Sequence, residues 1–141
     1  MAIKMRYLYF SGKKKYAQIG DHIKAKFNLQ INSVDRIPPA YSCDKERIVV
    51  LGISAKDELP DQLRLFCREL TKVRAANVAI ILDGNQKAEE ALINTLKEAG
   101  TNVVGSTLYI KGGMPIIGGK LSEEEIASID SWIDGIVANL A

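Results

Sequence analysis

Histidine and tryptophan occur once each in this chain of 141 residues, cysteine twice, proline four times, and aromatics make up only 6%. Each scarcity removes a class of answer. The lone histidine, His22, falls within a helical pattern and has no nucleophile nearby in sequence to activate. With one histidine, Cys43 and Cys67 give no zinc-ligand spacing. Nor do two cysteines build a disulfide framework; they fit a reduced cytosolic compartment, so a cytoplasmic location is expected. Long apolar runs are missing too. Tyr7 to Phe10 is far too short for a signal-peptide core or a membrane span, so no membrane is expected. Charge of one sign is not in excess: 19 Lys and Arg face 17 Asp and Glu, a net +2. That balance is too mild to imply nucleic acid, and no nucleic-acid partner is expected.

What remains is an ordinary globular composition, 47% hydrophobic and 26% charged. A chain of this length is expected to be a single domain, residues 1–141, that buries roughly 70% of its unfolded surface without metal or disulfide. Strand and helix patterns alternate along it. Ile3 to Phe10 reads as a strand. Tyr16 to Phe27 follows as a helix, with Tyr16, Ile19, Ile23 and Phe27 on one face. Leu29 to Val34 is a short strand candidate. The linker Asp35 to Glu46 holds Pro38-Pro39, which excludes a regular helix through its middle.

Arg47 to Ile53 contains Ile-Val-Val-Leu, the continuous apolar run of a strand covered on both faces. Pro60 to Val73 places Leu63, Phe66, Leu70 and Val73 at helical spacing. Val78 to Leu82 is a second buried strand. Lys87 to Ala99 is helical, and Gly100 is its natural stop. Asn102 to Ile110 reads as the fifth strand. In the last helix Ser122 and Glu125 form a capping box, and Ile126, Ile129, Trp132, Ile133, Ile136, Val137 and Leu140 line the apolar face. Alternating strands and helices imply a parallel sheet covered on both sides, with right-handed crossovers.

Five such units resemble the flavodoxin-like fold: an α/β three-layer sandwich with a five-stranded parallel sheet of order 2-1-3-4-5. The resemblance rests on Tyr9-Phe10-Ser11 at the start. It rests further on Val49-Val50-Leu51-Gly52-Ile53-Ser54 followed by Leu63-Arg64-Leu65-Phe66, similar to the third strand, flavin-contacting loop and helix of that family. It covers essentially the whole chain. It implies a flavin mononucleotide (FMN) site in the loops after strands one, three and four, here Ser11, Lys13, Lys14, Lys15, Tyr16, Ser54, Ala55, Asp83 and Gly84. The family's phosphate loop reads hydroxyl-x-threonine-glycine-x-threonine. Ser11 matches it, whereas Lys13 stands for the first threonine, Lys14 for the glycine and Tyr16 for the last threonine. The family's stacking aromatics have no counterpart in Ser54 to Glu58 or Asp83 to Gln86. Electron-carrying members are also typically acidic, and this chain is weakly basic.

The expectation is therefore a divergent domain with a degenerate FMN site and no tightly bound cofactor. It would serve as a non-redox binding or regulatory module for a small anionic or phosphate-bearing ligand, or for a protein partner. The alternative is a working FMN electron carrier or flavin reductase. Lys13 to Lys15 read either as a solvated loop or as an anion site beside a helix N-terminus. The loops at the C-terminal edge of the sheet (11–15, 54–59, 83–87 and 111–121) hold seven lysines against three acids, a net +4, while the rest of the chain sums to −2. Ligands of open α/β sheets bind at that edge. Gly112 to Gly119 reads as a loop over the ligand edge or a plain connection. Arg64, Arg68 and Lys72 form the wet stripe of a helix. No catalytic residue is assigned. Gly52-Ile53-Ser54-Ala55-Lys56 lacks the second glycine of a nucleophile elbow. A phospho-acceptor receiver domain would need an aspartate where Ile53-Ser54 stand and an acidic pair after strand one.

Overall fold

The computed structural model describes residues 4–11, 14–30, 33–41, 43–110 and 121–140. Gly12, Lys13 and the glycine-rich stretch 112–119 lie outside these described residues. The elements run β1 (Met5–Phe10), α1 (Lys14–Phe27), β2 (Val34–Arg36), β3 (Ile48–Ala55), α2 (Asp61–Arg68), β4 (Asn77–Gly84), α3 (Gln86–Ala99), β5 (Asn102–Val103), β6 (Leu108–Tyr109) and α4 (Glu123–Ala138).

All strand pairings within the sheet are parallel, in the order β2-β1-β3-β4-β5, with β6 also on β4. This is the expected order. The central strands are apolar throughout because both of their faces are covered. On one face Met5, Tyr7, Ile48, Val50, Ala79 and Ile81 pack against Ile19 and Ile23 of α1 and Ile129, Ile133 and Ile136 of α4. On the other, Leu8, Val49, Leu51, Val78 and Ile80 meet Leu63 and Cys67 of α2 and Leu92 and Leu96 of α3.

The structure corrects several element boundaries. The fifth strand is two short strands, so the sheet has six. Gly105 breaks it, taking a φ of 70° that an L-residue rarely adopts. β5 and β6 pair β4 at Asn77–Val78 and Ile81–Leu82, on the edge that β3 leaves open. The Trp132 indole N–H donates to the Ser106 carbonyl at 2.7 Å and pins the bulge to α4. The second strand begins at Val34 rather than Leu29, because Leu29 is spent closing α1: its N–H donates to Lys24 and Asn28 turns left-handed. α2 stops at Arg68, where Glu69 and Leu70 turn back onto the carbonyls of Phe66 and Cys67. Val73, expected on the buried face, is 69% exposed. Finally, α1 starts two residues early, at Lys14, so Lys14 and Lys15 belong to a helical turn rather than to a loop.

Candidate functional site

The C-terminal ends of β1 and β3 flank the crevice where strand order reverses, the usual ligand position of such a sheet, and the end of β4 lies beside β3. Ser11 follows β1 directly and is half-buried. Lys13 lies outside the described residues, and Lys14 opens α1.

Lys15 departs from the expectation of a mobile edge charge. It is 5% exposed and forms an ion pair with Glu125. Starting the helix early turns this side chain toward α4. Glu125 serves two partners with two oxygens. Oε1 accepts from the Ser122 N–H to complete the capping box, and Oε2 meets the Lys15 ammonium. The hydrogen bond from Lys15 holds the Glu125 carboxyl below its ordinary value. Sequence reading identified Glu125 only as a cap, because the packing of α4 beside α1 is a tertiary fact.

Tyr16 is fully buried, and its hydroxyl donates to the Ile53 carbonyl at 2.9 Å. Burial, reinforced by the nearby charge of Asp83, pushes this phenol up, while hydrogen bonds from the Asp83 backbone and Ser54 pull the other way. The phenol thus sits against the ends of β3 and β4. Where the family's motif has a threonine, this chain places a bulky ring over the bare backbone of Gly52. A Cβ at Gly52 would lie 2.9 Å from the Tyr16 ring.

Ser54, Ala55, Asp83 and Gly84 are brought side by side, since Ser54 pairs with Asp83 and Ala55 with Gly84 in the β3–β4 ladder. Gly84 is the residue that permits this, because a Cβ there would collide with the Ala55 carbonyl. Beyond these pairs the two loops are tied together. Asp57, at φ 61°, donates its N–H to Asn85 Oδ1 at 3.1 Å, and Asn85 Nδ2 donates back to Asp57 Oδ1 at 2.7 Å. Asn85 Oδ1 also accepts from the Ala88 N–H at 3.0 Å, capping α3. Neither Asp57 nor Asn85 was singled out from sequence. An asparagine two residues before the helical pattern read from Lys87 is the only available signal, and it speaks of capping rather than of a tie between loops.

Neither Ser54–Glu58 nor Asp83–Gln86 contains an aromatic residue. Among the described residues no group of three or more His, Cys, Asp or Glu is placed to hold a metal ion, and no helix is long and apolar enough to cross a membrane.

The fold is flavodoxin-like throughout. A short-chain flavodoxin associated with a non-canonical PDU bacterial microcompartment superposes with a TM-score of 0.66 at 13% identity, covering 100% of both chains. Oxidised flavodoxin 1 from Bacillus cereus gives 0.64 at 18%, covering 97% of this chain and 99% of its own. A flavodoxin from the domain Archaea gives 0.61 at 16%, covering 98% and 99%. No family model and no curated protein sequence matches the chain. At such identities the likeness concerns the fold.

Proposed function

We propose that this chain is a flavodoxin-like binding or regulatory module that does not hold FMN tightly and takes a small phosphate-bearing ligand at the C-terminal edge of its sheet. The observation that carries this reading is the Asp57–Asn85 tie. One asparagine closes the gap between the loops after β3 and β4 and caps α3 at the same time. The buried Tyr16 and the engaged Lys15 support it. Anion attraction then rests on Lys14, which opens α1, and on Lys13, which precedes it in sequence; at a helix start backbone N–H groups and the dipole favour negative charge. The second reading, an FMN electron carrier or flavin reductase, is favoured by the structural neighbours, flavodoxins that match over almost their whole length.

The test is the purified full chain. It is expected to be colourless and to bind added FMN more weakly than about 100 µM, since several charge-assisted hydrogen bonds of ~1.5–3 kcal/mol each have no donor here. Phosphate and pyrophosphate should bind, and Lys13→Gln with Lys14→Gln should weaken them. Equal affinity in that variant would assign the two lysines to solvation. A yellow preparation with stoichiometric FMN would restore the electron carrier.

A further inference from the structure

The C-terminal half of α4 borders a cavity of about 450 Å³ that the site above does not use. Val104 and Ser106, from the bulge between β5 and β6, stand on one side of it. Trp132, Gly135 and Ile136 of α4, with the cap residue Asn139, stand on the other. Glu125, which meets Lys15, lies in the first turn of the same helix, so the two places are separate. The volume falls within the range of small-molecule sites.

Three features of the lining say what fits it. The first is a space kept open. Gly135 lies in the last turn of α4, and a Cβ there would meet nothing within 4 Å. Glycine is the least favourable helix residue after proline. Alanine would suit the helix better here, and no contact forbids it. The second feature is a fixed aromatic wall. Trp132 is half-buried, and its indole N–H is spent on the Ser106 carbonyl at 2.7 Å. That bond joins the two sides of the cavity and holds the ring beside the space. With its one donor spent, the indole offers its π-surface, which pairs with another aromatic ring in offset or edge-to-face geometry.

The third feature is charge. None of the eight lining residues is ionisable, so a charged ligand would find no counter-ion among them. Ser106 and Asn139 supply neutral hydrogen-bonding groups. Asn139 is steadied by donation from its Nδ2 to the Gly135 carbonyl at 2.8 Å. We propose that this cavity is a binding site for a small neutral aromatic molecule bearing a hydroxyl. The ring lies against Trp132 over the bare backbone of Gly135, and the hydroxyl meets Ser106 or Asn139.

Trp132 is the one tryptophan of the chain, so its fluorescence reads this site directly. The probe is phenethyl alcohol, titrated into the full chain. Tryptophan emission should shift to the blue and saturate as the ring displaces water from the indole. Cyclohexylethanol lacks the π-face and phenylacetate carries a charge, and each should bind about tenfold more weakly. Gly135→Leu puts a side chain into the open space. It should stay folded, because helix propensity improves, and bind phenethyl alcohol about tenfold more weakly. No saturable shift would overturn the proposal. So would an equal response to cyclohexylethanol or phenylacetate, or unchanged affinity in Gly135→Leu. An emission shift that follows protein concentration, with a dimer in sedimentation equilibrium, would overturn it too and assign the cavity to a second copy of the chain. If Gly135→Leu does not fold, the comparison of the three probes on the unaltered chain decides.

Discussion

Lys15 shows how one residue changes meaning when its element starts two residues early. In the sequence it is the third of three lysines; in the fold it is buried against Glu125. Lys15→Gln should therefore cost about 1–2 kcal/mol by urea denaturation, below the full cost of breaking a buried pair because the Glu125 side chain is about one-third exposed. The folded Glu125 carboxyl is held below its ordinary value. Its contribution is thus fully present above the unfolded carboxyl range, about pH 4.3, and disappears as the pH falls through the folded value. In Lys15→Gln that acid-side loss should shrink, and a stability–pH curve of the two proteins checks it. Tyr7 offers a second test at this scale. Its hydroxyl is buried without a partner, and burial raises its phenol well above the ordinary tyrosine value. Tyr7→Phe should be neutral or stabilising by up to about 1 kcal/mol, because it removes an unsatisfied polar group. Gly52→Ala should cost about 1–3 kcal/mol, since its Cβ would collide with the Tyr7 hydroxyl and press on the Tyr16 ring. A double-mutant cycle should show the penalty reduced in the Tyr7→Phe background.

Among the elements, the start of α3 joins stability to the site. Asn85 caps the helix and ties down Asp57. Asn85→Ala should cost about 1–2 kcal/mol. Asn85→Ser can cap but cannot reach Asp57 with an amide, so it should recover most of the stability while leaving the loops untied. Thermal denaturation of the three proteins separates the two roles; equal losses in Ala and Ser would mean that the tie, not the cap, carries the energy. Element existence was legible wherever an apolar face repeats over many residues, as in α4, whose capping box stands at Ser122 and Glu125 as read. Element ends were less legible. The stop of α2 at Arg68 and the break at Gly105 depend on where Ala75 and Ser106 must meet other parts of the chain.

Across the whole molecule, protection should follow the layers. Hydrogen exchange should be slowest in β1, β3 and β4, whose residues are buried on both faces, and fastest in β5 and β6, two-residue strands at an open edge. Comparable protection at the edge would mean that something covers it in solution. The amino-acid order alone determined the alternation of strands and helices and a parallel sheet covered on both sides, because burial on two faces writes a continuous apolar run; the strand order came from the resemblance. Given that order, the crevice beside β1 and β3 follows from topology. Only the tertiary structure decided what occupies it. Lys15 meets Glu125 from 110 residues away, Asp57 meets Asn85 across two loops, and Arg6 donates to Tyr41 in the linker that follows β2. Such pairings depend on which side chains share a few ångströms of space. Periodicity, which reports only the face a residue lies on, does not carry that information.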